Sequence, residues 1–106
     1  MLRLTERISK IYSADKSYIL NNGSTSGIMT AISAIAGYND TVLVARNCHK
    51  SVYNTLILRG INPEYIYPQV DKNTGINLAI NASDVEKALE LNSKIKAVII
   101  TSPTYE

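Results

Sequence analysis

The sequence predicts an α/β fold of three layers, α/β/α, built around a mostly parallel sheet. Three observations carry that reading. Short apolar runs ("TVLVA", "EYIYP", "KAVIIT") alternate with stretches whose apolar residues recur every three or four positions. The runs lack the polar alternation of a half-solvated sheet, as expected where helices cover both faces. No repeat, low-complexity tract or Pro/Gly linker divides the 106 residues, so they form one domain or part of one.

Along the chain, Leu4, Ile8, Ile11 and Tyr12 share a helical face, and this first segment closes in the turn-like "SADKS". Tyr18–Leu20 is a short strand candidate. A helix over 27–36 places Ile28, Ile32 and Ile35 on one face, with Gly37 as its C-cap. "TVLVA" follows as a continuous apolar strand. A helix over Lys50–Arg59 turns Val52, Leu56 and Ile57 inward and stops at Gly60. "EYIYP" is the next strand, followed by the polar loop "VDKNTGIN". Ser83, with Glu86 three residues on, reads as a capping box opening the helix of Val85, Ala88 and Leu89. "KAVIIT" is the last strand, and the charges of "DVEKALE" and "SKIK" are solvated faces.

Composition excludes several function classes. With 45% hydrophobic residues, 19% charged residues and a formal net charge of +2, the chain is an ordinary globular one. Lys and Arg are scattered, and the seven Tyr do not interleave with a basic stripe, so no nucleic-acid partner is expected. The longest apolar runs fall far short of the roughly 18 residues that span a bilayer. The start "MLRLTERISK" is too charged for a signal peptide, so the expectation is a cytoplasmic protein with no membrane partner. Cys48 is the only cysteine, which rules out an internal disulfide and gives no sign of an oxidising compartment. One His and one Cys without ligand spacing predict no metal site.

In a parallel sheet joined by right-handed crossovers, strand-to-helix turns emerge at the carboxyl edge, where open α/β sheets bind ligands. Three polar stretches map there: "NGSTSG", "RNCHKS" and "TSPTYE". In the first, Gly23 permits a tight turn. The amides of Ser24, Thr25 and Ser26 then lie at a helix start, where orphan donors and the macrodipole favour a phosphate. A plain N-capping turn has the same composition, since Ser and Thr are favoured there anyway. The stretch is neither a P-loop nor a dinucleotide fingerprint. His49 is the only histidine and stands at a strand-to-helix turn beside this cradle. Cys48 points to a different face and makes no thiolate pair with it. Lys50 reads as a solvated lysine and not as an imine-forming one, because nothing apolar around it depresses its pKa.

Taken together, "NGSTSGIMTAI", "VLVARNCHKSVYNTLILRGINPEYIYP" and "AVIITSPTYE" resemble the cofactor-binding large domain of the ornithine/lysine/arginine decarboxylases. These are pyridoxal-phosphate enzymes of the aspartate-aminotransferase fold (fold type I). The resemblance runs over nearly the whole chain in the right order. It implies that Ser24, Thr25 and Ser26 hold the phosphate of pyridoxal 5′-phosphate and that His49 stacks on its ring. It implies a basic amino acid substrate (lysine, arginine or ornithine), decarboxylated to the amine, and a homo-oligomer. "TSPTYE", with Thr101 and Thr104, matches a segment that passes near the active site. Lys50 matches the lysine beside the stacking histidine. In the family, the Schiff-base lysine and the aspartate paired with the ring nitrogen lie downstream of this segment. Residues 1–106 are therefore expected to be a partial domain, truncated at both ends relative to the family, with no catalytic residue of its own and no turnover in isolation. The reading set against it is a non-catalytic α/β module that binds a phosphate-bearing ligand or acts only in assembly.

Overall fold

A computed structural model of the chain describes residues 2–101. Its elements run α1 (Leu2–Ile11), α2 (Gly23–Ile35), β1 (Thr41–Ala45), α3 (Lys50–Arg59), β2 (Asn62–Ile66), α4 (Ala82–Leu91) and β3 (Ile95–Ile99). The three strands form one parallel sheet in the order β2-β1-β3. The chain moves one way from β1 to β2 and back across β1 to reach β3. With right-handed crossovers that reversal puts α3 and α4 on opposite faces, which gives the α/β/α layering.

Burial follows from this placement. Val42, Leu43, Val44 and Ala45 of the central strand are all buried, so β1 is covered on both faces. Ile32 and Ala36 join the core at the end of α2, and Val52 and Leu56 join it from α3. Val85 and Ala88 of α4 pack against it. The flanking strands differ from the expectation of cover on both faces. In β3 only Ile95, Ala97 and Ile99 are partly buried, while Lys96 and Val98 face solvent; in β2 only Ile66 is buried.

Helix boundaries show the local chemistry at work. Gly60 ends α3 in the left-handed region (φ 65°, ψ 36°). Its N–H donates to the Ile57 carbonyl, and Ile61 N–H donates to the Leu56 carbonyl at 2.9 Å. That is the paired hydrogen bonding of a Schellman motif, closed by contact between buried Leu56 and Ile61. α2 ends one residue before the expected C-cap: Ala36 is extended and Gly37 follows it, its N–H donating to Asp40 Oδ2 at 2.7 Å.

Several expectations are corrected. Tyr18–Leu20 is not a strand; no strand among the described residues pairs with it, and Tyr18 is exposed. Ser83 does not cap α4. Asn81, two residues earlier, accepts from both the backbone N–H and the hydroxyl of Ser83, because an Asn oxygen at that position reaches the first-turn donors first. Ile35 and Ile57 lie on expected apolar faces yet are exposed, because nothing among the described residues packs over them. Leu4, Ile11 and Tyr12 of the first helical segment are likewise solvent-facing.

Candidate functional site

α2 reaches β1 through the short connection 36–40 and packs on it through Ile28, Ile32 and Ala36, so it runs antiparallel to the strand. α3 leaves the carboxyl end of β1 and runs back in the same sense. The two helices pack against each other. Both helix N-termini therefore lie at the carboxyl edge of the sheet, and Ser24–Ser26 and His49 come to that edge together.

The two N-termini are chemically different. α2 starts four residues earlier than the apolar spacing predicted, which puts Ser24, Thr25 and Ser26 inside its first turns. Asn22 at its N-cap makes no side-chain hydrogen bond to the helix, so first-turn N–H groups are left for another acceptor. Ser24 and Thr25 are exposed and Ser26 is half-buried. Gly23 has φ +77°, and a Cβ placed there would meet no atom within 4 Å, so the backbone conformation and not crowding calls for glycine. Gly27 is constrained differently: a Cβ would sit 2.6 Å from Leu20 Cδ1, so this glycine lets the 18–20 segment pack on α2.

α3, by contrast, is capped by His49 itself. The His49 Nδ1 accepts the Ser51 N–H at 3.1 Å and lies 2.9 Å from Ser51 Oγ. Because Nδ1 accepts the backbone donor, the neutral ring carries its hydrogen on Nε2, and the exposed imidazole is held at one edge. Ser51 is buried, with Thr55 Oγ1 donating to its carbonyl at 2.7 Å. No hydrogen bond joins Ser24–Ser26 to His49 among the described residues.

The turn between β1 and His49 is held by hydrogen bonds with β2 and α3 and within itself, while the buried Asn47 Oδ1 in it has no hydrogen-bond partner among the described residues. Arg46 N–H donates to Ile66 O at 2.8 Å, and Cys48 N–H donates to Ala45 O at 3.1 Å. Cys48 is buried with its Sγ 3.7 Å from Ile99 O, facing away from the exposed His49. The Tyr53 hydroxyl donates to the carbonyls of Ala45 and Arg46, at 3.1 and 2.5 Å. The Arg46 guanidinium lies 5.0 Å from the ring centres of both Tyr53 and Tyr65. Its pKa is raised, chiefly by the hydrogen bond with Tyr53. Sequence reasoning missed Ser51, Tyr53 and Arg46. An Arg directly after a buried apolar strand, with a Tyr seven residues on, was the available signal. Lys50 is exposed at the first position of α3, and Thr101 is exposed; Thr104 lies outside the described residues.

Among the described residues no helix is long and apolar enough to cross a membrane, and no group of three or more His, Cys, Asp or Glu could hold a metal ion.

A parallel α/β sheet flanked by helices is the class of fold in hand, and solved structures give it a closer definition. The chain superposes on Escherichia coli constitutive lysine decarboxylase with a TM-score of 0.81 and 26% identity, covering 98% of this chain and 16% of that one. It superposes on Thermotoga maritima aspartate aminotransferase with a TM-score of 0.72 and 27% identity, covering 96% and 26%. The fold is that of the large domain of fold type I pyridoxal-phosphate enzymes. Residues 3–106 match the sequence model of the Orn/Lys/Arg decarboxylase major domain, and the chain belongs to that family. It is 36% identical to an arginine decarboxylase of Bacillus cereus over 94 residues, which is 89% of this chain and 20% of the relative. It is 38% identical to an inducible ornithine decarboxylase of Lactobacillus over 91 residues, 82% of this chain and 12% of the relative. The chain thus spans a fifth or less of the length of these curated relatives.

Proposed function

We propose that the chain supplies the phosphate-holding and ring-stacking part of a pyridoxal-phosphate-dependent decarboxylase of basic amino acids. The observation that carries this reading is the pair of helix N-termini at one sheet edge, one with first-turn amides uncapped and the other bearing an edge-held imidazole. The donor set suits the cofactor's phosphate: Ser24, Thr25 and Ser26 combine hydroxyls with backbone N–H groups at the positive end of α2. His49, with Nδ1 already occupied by Ser51 N–H, offers a ring face for stacking and keeps its plane. When bound, the pyridoxal ring supplies the electron sink for loss of the substrate carboxylate. This chain's own share is binding and orientation, which set the geometry of reaction.

Calorimetric titration of the chain with pyridoxal 5′-phosphate and with pyridoxal tests this. Preference for the phosphorylated form, reduced by His49→Ala and by Gly23→Ala, supports the reading. Equal or absent binding of the two overturns it and leaves the non-catalytic module. No amine is expected from lysine, arginine or ornithine with the isolated chain, since no residue in it matches the Schiff-base lysine.

Self-association and a cytoplasmic setting belong to the same proposal. The accessible surface is 8093 Å², against about 5,900 Å² expected for a compact monomer of this mass. The radius of gyration is 16.0 Å, against about 13 Å for a compact domain of this length. The surplus is apolar in part, including Ile11, Tyr12 and Ile57, and a second copy or further protein would cover it.

A further inference from the structure

We propose that Tyr53 is a positioning residue for His49, acting through its hydroxyl and not through its packing. His49 sits three residues beyond Arg46, at the end of the turn that leads from β1 into α3. Tyr53, one turn into α3, donates its single O–H to the Ala45 and Arg46 carbonyls together, at 3.1 and 2.5 Å. The Ala45 carbonyl also receives Cys48 N–H. One hydroxyl thus ties the strand end, the turn and the helix into a closed loop of contacts, and His49 is the link between turn and helix. The His49 carbonyl accepts Val52 N–H at 3.0 Å, and its ring accepts Ser51 N–H, so any slip of the turn against α3 tilts the imidazole.

The ring of Tyr53 has a separate role. It lies 5.0 Å from the Arg46 guanidinium, as does the ring of Tyr65 beside it; the two tyrosine rings are 6.3 Å apart and tilted by 48°. That cluster holds the Arg46 side chain against β2 and stabilises the layer. Removing the hydroxyl alone keeps both rings beside the Arg46 guanidinium and deletes only the hydroxyl's own hydrogen bonds, the one with Arg46 included. Removing Tyr65 weakens the cluster and leaves the hydroxyl's bonds intact. The two variants therefore separate positioning from stability.

The meaning of this role for cofactor binding rests on the proposed function, but the geometry can be tested without it. Wild type, Tyr53→Phe and Tyr65→Leu are compared by proton–nitrogen correlation spectra of the His49 ring and by amide exchange at Cys48. In Tyr53→Phe the ring signals of His49 are expected to broaden and lose their single Nε2–H form. Cys48 exchange is expected to quicken roughly fivefold, the order for one neutral hydrogen bond lost. In Tyr65→Leu the thermal midpoint falls while both readouts hold. Affinity for pyridoxal 5′-phosphate follows the His49 signals and not the midpoint. Unchanged His49 and Cys48 signals in Tyr53→Phe overturn the proposal, as does an equal change in Tyr65→Leu. If wild type binds no pyridoxal 5′-phosphate, the proposed function falls while the two spectroscopic readouts still decide the role of Tyr53.

Discussion

Gly60→Ala isolates one piece of the physics that places α3 between the His49 turn and β2. Gly60 has φ +65° and ψ 36°, where an L-residue costs about 1–2 kcal/mol from the clash of Cβ with the backbone. A Cβ there would also lie 2.5 Å from Tyr38 Cδ2, so the Tyr38 ring must move. Tyr38 is 84% exposed, so its ring can swing aside at a cost smaller than that of the backbone strain. The narrower unfolded ensemble of Ala does not offset a strained site. The net expectation is a loss of about 1.5 kcal/mol, or about 6–12 °C in melting temperature for a chain of this size. Thermal denaturation followed by circular dichroism measures it. Gly75→Ala is the reference, because Gly75 has φ +72° with no atom within 4 Å of the added Cβ. In a Tyr38→Ala background the Gly60 cost is expected to fall to the Gly75 value. An unchanged melting temperature in Gly60→Ala would refute the left-handed cap argument. A cost that persists in full above the Gly75 reference without Tyr38 would refute the steric one.

Three more expectations follow from the same contacts. Leu43→Ala, at a side chain 1% exposed in the middle of the central strand, is expected to cost about 2–5 kcal/mol, enough to leave much of the chain unfolded when read by urea titration. The Asp40 carboxylate is held below the ordinary carboxylate range by Gly37 N–H and then by Lys96, whose Nζ is 3.2 Å away. Its contribution is therefore present above the unfolded value of about 3.9 and lost as pH falls through the lower folded value; Asp40→Asn should flatten that acid limb of the urea midpoint, and an identical limb would count against the pairing. Val98→Lys places a charge on the exposed side of β3, opposite in character to the β2 edge with its Pro63 and Glu64; a lower sedimenting mass is expected if this side of the sheet carries self-association.

The amino-acid sequence by itself determined what depends on near neighbours. The period of Val52 and Leu56 and the left-handed tolerance of Gly60 are set within a few residues, so α3 ran from Lys50 to Arg59 in both sequence and structure. The apolar run "TVLVA" was β1 residue for residue, because a strand buried on both faces needs no alternation. The family, too, was legible in "RNCHKS" together with "TSPTYE". Only tertiary structure decided the rest. A strand exists only if another strand pairs with it, and so Tyr18–Leu20 is irregular. Two good capping residues compete, and geometry chose Asn81 over Ser83. Ile35 and Ile57 show that an apolar face is buried only where something lies against it. The bracing of the His49 turn joins residues on β1, α3 and β2. No local pattern encodes that arrangement, since the chain must fold before Tyr53, Arg46 and Tyr65 can meet.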